Sequence, residues 1–129
     1  MKRTKLKKQS KQTISKIQRE LWKNCKRIIR KLYSPNCYCC DKPIEGSNDH
    51  CSHLIPKAAC GAYLKYDLRN LRRCCYNCNI NLGGNGAIFY RKMVYLEGQE
   101  YVDKLFSDKQ KIIKAYEHYE ELLEKYKKL

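Results

Sequence analysis

Cys37-Tyr38-Cys39-Cys40 and Cys75-Tyr76-Asn77-Cys78 are two C-x-x-C knuckles separated by residues 41–74. Two such knuckles can gather the thiolates of Cys37, Cys40, Cys75 and Cys78 around one tetrahedral ion, and the spacing favours zinc. A closed four-sulfur site leaves no open position for water, so its role is structural. Cys39 and Cys74 offer an adjacent register in each knuckle. A redox C-x-x-C is the competing reading, but two knuckles in one short chain argue for a shared metal. Between the knuckles lie Ser52-His53-Leu54-Ile55-Pro56 and then Asn70-Leu71, and Asn79 follows the last cysteine. An imidazole that titrates near neutral pH can take a proton from water. A lone histidine before Leu-Ile-Pro is more often structural. His53 gains weight because clamped knuckles would fold its loop back beside Asn79.

The elements that must position these groups are short of aliphatic core. The chain has 129 residues, and its 43% hydrophobic content is raised by 9 Cys and 11 Tyr. One domain with helical extensions suits that length, and a bound zinc would compensate for the modest core. Residues 1–12 read as a basic flexible arm. Residues 13–36 read as an N-terminal helix and its exit. Ile14, Ile17, Leu21, Cys25, Ile28 and Leu32 form one helix face, with Trp22 in the core and Lys and Arg over the rest. Ser34-Pro35-Asn36 ends the helix. Residues 37–98 hold the metal segment: a short strand and turn over 49–56, a loop over 61–67, a Gly-rich break at 83–86 and a helix over 87–97. Residues 99–129 read as C-terminal helices, 99–106 and 109–128, the latter capped by Ser107-Asp108. Its broad apolar face suits packing or a homodimer, and His118 reads as a surface residue.

Charge narrows the partners. There are 28 Lys+Arg against 13 Asp+Glu, a formal net charge of +15. Such an excess in a small domain points to a polyanion, with nucleic acid ahead of an anionic membrane surface. No apolar run is long enough to span a bilayer, and the Lys-rich start lacks the apolar stretch of a secretory signal. An odd cysteine count fits a reducing, intracellular setting, with Cys25, Cys39, Cys51, Cys60 and Cys74 as free thiols.

Ser52-His53-Leu54-Ile55-Pro56, Asn70 ahead of the second knuckle, and Asn79 directly after Cys78 resemble the HNH endonuclease motif with its zinc ribbon. More closely, the chain resembles the NinG (Rap) recombination proteins of lambdoid phages. The stretches concerned are Leu21-Trp22 to Arg30, the knuckle at Cys37, Ser52-His53, Cys75 to Asn85, Tyr90-Arg91 and Gly98 to Asp103, within residues 20–106.

The resemblance implies an α+β fold, a zinc-stapled ββα-metal core flanked by N- and C-terminal helices. It implies a metal-dependent DNA endonuclease acting on branched recombination intermediates, such as Holliday junctions or flaps, in host cytoplasm. His53 would activate water, Asn70 would hold His53 or its loop, and Asn79 would help hold a catalytic Mg²⁺ or Mn²⁺. The motif commonly carries Asp before its histidine; here that residue is Ser52. Asp49 and His50 could supply the missing ligand, and a second register makes them the metal/base pair. Arg69, Arg72 and Arg73 beside Asn70 are candidate phosphate contacts, followed by Lys57, Asn85, Arg91 and Lys92. Asn85 reads equally as a turn residue. Two other functions stay open: a nicking, homing or restriction-type HNH nuclease on duplex DNA, and a zinc-ribbon nucleic-acid-binding protein without activity.

Overall fold

The computed structural model describes the backbone of residues 2–129 and the side chains of residues 13–129. Helix α1 spans Lys2–Leu32, strand β1 His50–His53, helix α2 Lys57–Leu64 and strand β2 Leu71–Cys74. A π-helical turn, Asn77–Asn81, leads to α3 at Gly86–Glu97, α4 at Gln99–Asp108 and α5 at Ala115–Lys127. The architecture is α+β, mostly helical around a two-stranded antiparallel sheet. The α1 bounds take in most of the stretch expected as an arm. The side chains of residues 1–12 lie outside those described, and so does their expected role on phosphates.

The β1–β2 register pairs His50 with Cys74, Cys51 with Arg73, Ser52 with Arg72 and His53 with Leu71. Two apolar clusters flank this hairpin. One joins Ile17, Leu21, Cys25 and Ile28 of α1 to Leu71 and to Tyr119, Leu123 and Tyr126 of α5. The other gathers the knuckle cysteines, Ile44, Leu54, Leu64, Phe89, Met93, Val102 and Leu105. The apolar face of α5, expected to serve in packing or a homodimer, packs on α1 of the same chain. Leu32, assigned to the buried face of α1, is exposed because the helix ends there.

Two boundaries differ from the sequence reading. The 61–67 loop is partly helical, since α2 runs to Leu64 across a break at Gly61. Gly61 has φ 72°, and a Cβ there would lie 3.0 Å from the Lys109 carbonyl, so the position needs glycine. The last helix starts at Ala115, not 109. Asp108 does not cap it; its buried carboxylate ends α4 and takes Arg69 at 3.0 Å and Lys104 at 3.1 Å. Among the described residues no helix is long and apolar enough to cross a membrane.

Candidate metal centre and histidine cavity

The first knuckle turns through Asp41 at φ 65°, with the Cys37 N–H bonded to the Lys42 carbonyl at 2.8 Å. Asn36 and Pro43 form a bridge that closes it. The second knuckle starts where β2 ends. The sulfurs of Cys37, Cys40, Cys75 and Cys78 all lie within 4.8 Å of one another, and those of Cys40 and Cys75 are 3.7 Å apart. A tetrahedral ion with bonds of ~2.3 Å needs sulfurs ~3.8 Å apart. These four cysteines therefore form a group that can hold a metal ion.

Backbone N–H groups support the sulfurs. Cys40 donates to Cys37 Sγ at 3.5 Å and Cys78 to Cys75 Sγ at 3.4 Å. Burial pushes the Cys37 thiol up, but the N–H groups around it outweigh burial and bring it down to about 7. Burial raises Cys40 and Cys78, so protons must leave as an ion binds. Cys39 and Cys74 lie outside the group. Their sulfurs face each other at 3.9 Å, both buried. All nine cysteines are unbridged, and Cys25, Cys51 and Cys60 are free thiols as expected.

His53 closes β1 against α1. Its ring stacks on Trp22, with centroids 5.4 Å apart and planes 7° from parallel. Trp22 is thus a wall of the histidine site and not simple core. His53 Nε2 lies 2.8 Å from the Lys65 carbonyl. A carbonyl only accepts, so Nε2 carries the hydrogen and Nδ1 keeps its lone pair. Burial pushes the His53 pKa below the ordinary histidine value. The Lys65 carbonyl opposes that shift, and the charges of Lys57 and Lys65 add to it. The ring is neutral at pH 7.

Asn70 is fully buried and holds the chain after His53. Its Oδ1 accepts from the Ile55 N–H at 2.8 Å, its Nδ2 donates to the Ile55 carbonyl at 3.0 Å, and its own carbonyl takes the Leu54 N–H at 2.9 Å.

Alternation along β1 puts His50 and Ser52 toward Asn79. Ser52 Oγ donates to Asn79 Oδ1 at 2.8 Å, and Asn79 Nδ2 lies 3.1 Å from His50 Nδ1. His53 and Asn79 line one cavity of about 380 Å³, with Ser52, Trp22, Lys57 and Gly84 among its other walls. Turning the Asn79 amide would bring Oδ1 beside His50 Nδ1. So turned, the amide oxygen and the His50 imidazole nitrogen lie side by side, while Ser52 Oγ accepts from the amide nitrogen.

Several residues expected to contact an ion or a phosphate have other partners within the fold. Asp49 does not join Asn79 and His50, because Arg73 grips it at 2.8 and 3.1 Å and Arg30 at 3.2 Å. Arg73 is spent there and on the Arg30 and Tyr33 carbonyls. Arg69 is tied to Asp67 at 2.7 Å and Asp108 at 3.0 Å. Arg72 is only 1% exposed. Its guanidinium sits over the rings of Tyr33 at 4.8 Å and Tyr38 at 5.4 Å, and it donates to the Leu71 carbonyl at 2.7 Å. All three arginines have partners within the fold. Asn85, at φ 50° before α3, donates to Cys78 Sγ at 3.6 Å and so serves the cysteine group. Lys92 pairs with Asp41, and with Arg91 it lines a hollow that shares no residue with the histidine cavity. Lys57 alone of the expected basic contacts lines that cavity, its Nζ 5.1 Å over the Trp22 ring. His118 is half-buried, stacked on Tyr63.

Sequence reasoning missed the Lys65 carbonyl, which leaves no mark in residue type. It also missed Trp22, for which the lone tryptophan at the edge of an apolar stripe was a usable signal. Comparison of the chain with protein-family models, curated proteins and solved structures finds no match.

Proposed function

We propose that this protein is a metal-dependent endonuclease of the HNH type, hydrolysing DNA phosphodiester bonds, with a structural zinc at Cys37, Cys40, Cys75 and Cys78. The observation that carries the reading is the shared cavity of His53 and Asn79. A hairpin followed by a helical turn bearing Asn79 is the ββα order that the motif implies.

His53 acts as general base through Nδ1. Its Nε2–H is held by the Lys65 carbonyl, its ring by Trp22, and burial keeps it neutral and ready to accept a proton. Asn70 fixes the backbone after it, so the imidazole does not swing. Asn79, with its amide oxygen turned toward His50, and His50 would hold the divalent ion, and an oxygen–nitrogen pair suits Mn²⁺ better than Mg²⁺. The chemistry such an ion supplies is charge stabilisation on the phosphate and the leaving oxygen. Lys57, at the cavity wall, adds positive charge near the phosphate. The branched-DNA substrate rests on the resemblance to the NinG proteins.

A non-catalytic zinc-ribbon binder is the second reading. The absence of a carboxylate among Asn79, Ser52 and His50, with Asp49 held by arginines, favours it. Incubation of Holliday junction, flap and linear duplex with protein and Mn²⁺ or Mg²⁺ decides. The endonuclease reading expects cleavage by the wild type, with Mn²⁺ the better ion, and none by His53→Ala. Intact DNA in every lane leaves the binder, and equal cutting by the variant removes His53 as the base. Equal affinity for all three substrates removes the branched preference.

A further inference from the structure

Helix α1 presents a second charged feature that neither the motif nor the cysteine group uses. Lys16, Arg19, Lys23 and Lys26 recur at three- and four-residue spacing, so they form one stripe along the helix. Lys16, Arg19 and Lys23 are exposed and Lys26 is half-buried. Among the described residues none of the four has an acidic partner within ion-pair distance, although Glu20 sits in the same groove. Among the described residues the other basic groups of α1 are engaged: Arg27 with the Tyr126 carbonyl, Arg30 with Asp49, and Lys31 with the Leu129 carbonyl.

The stripe lines a groove that also includes Trp22 and Lys57. Those two residues also line the histidine cavity. The groove and the cavity therefore lie side by side, with Trp22 and Lys57 as their common wall. From Lys16 to Lys26 the helix rises ~15 Å, the axial length of about four phosphates of one DNA strand. Four unpaired cations at that spacing suit a polyanion whose charges repeat along a line, and fit a compact anion poorly.

We infer that the stripe Lys16, Arg19, Lys23 and Lys26, continued by Lys57, is the track that binds the DNA phosphate backbone and leads it to His53. The inference rests on the endonuclease reading for its destination, but its binding half stands apart from cleavage. The track contributes ground-state binding and steering; it does not touch the reacting phosphate.

The test compares two full-length variants with equal charge loss. One is Lys16→Gln/Arg19→Gln/Lys23→Gln on the stripe. The other is Lys125→Gln/Lys127→Gln/Lys128→Gln, on and just after the Glu-rich helix α5. Glutamine keeps helix propensity, and circular dichroism with thermal melts checks the fold of each. Anisotropy with fluorescein-labelled DNA, without divalent ion, reads affinity over a salt series. The stripe variant is expected to lose at least ~10-fold in affinity and to flatten the log–log salt slope by up to ~2.7, at ~0.9 per phosphate contact. The α5 variant should change less than ~3-fold, and cleavage by the stripe variant should show a raised KM with kcat retained. Equal weakening of both variants, or an unchanged stripe variant, overturns the track. Tight, stripe-dependent binding without any cleavage in Mn²⁺ would leave the track standing and fell the endonuclease reading. Cleavage with stripe-independent affinity would do the reverse.

Discussion

Two basic regions of this molecule have similar composition and opposite fates. Arg69, Arg72 and Arg73 lie beside Asn70, where sequence reasoning expects phosphate contacts. All three are consumed inside the fold by Asp67, Asp108, Asp49, backbone carbonyls and tyrosine rings. Lys16, Arg19, Lys23 and Lys26 of α1 read as helix decoration, yet their charge is uncommitted. A cation serves a ligand only if the fold has not already given it a partner. Closeness to a motif in sequence says little about that, because an ion pair is decided by what packs against it. The arginine side is a structural region, welded to the cysteine group. The α1 side, open around His53, is the region available for binding.

Perturbing the structural region should cost stability, and the largest effect is expected at the metal. Cys75→Ser, or a strong chelator, should remove about one zinc per chain and destabilise by up to ~10 kcal/mol, enough to unfold a marginally stable domain. Metal analysis alongside thermal melts reads this. A zinc-free protein with an unchanged melt would break the division between the two regions.

His53→Ala, on the open side, should cost ~1–2 kcal/mol for the lost Lys65 hydrogen bond and Trp22 stacking, far less than loss of the metal. It should lower the cleavage rate by ~10²–10⁴-fold, the usual worth of a general base. A variant that loses stability but keeps its rate would move His53 into the structural region.

Arg72→Ala sharpens the contrast from the other side. It strips carbonyls, Tyr33, Tyr38 and Glu97 of a buried cation, at ~3–5 kcal/mol. Affinity for DNA per folded molecule should stay within about twofold. A large loss of affinity without loss of stability would restore Arg72 as a phosphate contact.

The smallest expected effect is that of pH on His53. Its folded pKa is depressed by burial, so the folded state resists protonation. Stability linked to this group is present above the unfolded value of about 6.5 and is lost as pH falls through the lowered folded value. The low-pH limb of cleavage should lie below the ordinary histidine range for the same reason. A rate that falls with a midpoint at or above about 6.5 would show an exposed, unstacked ring.

Much of the site was legible from residue types. Thiols in C-x-x-C pairs are selected by a spacing that local chain geometry enforces, and the four cysteines converge as read. Asn70 was legible because a buried amide beside a sharp loop has few other uses. The two histidine registers differ in their surroundings. His53 meets Asn79 in one cavity, and His50 also reaches Asn79, while Asp49 does not. The helix over 109–128 was misplaced because Asp108, an N-cap by type, is recruited by Arg69 and Lys104, contacts between distant parts of the chain.

The sequence by itself determined the four-thiol group, the basic excess, the amphipathic faces of α1 and α5, and the candidate imidazole. These depend on residue chemistry and on periods set by the local backbone. Only the tertiary structure decided which charges are neutralised, which carbonyl sets the His53 tautomer, and that Trp22 lines both a basic groove and the histidine cavity. Each of those depends on distances between residues far apart in the chain, which packing of the two cores around the hairpin creates and local sequence does not encode.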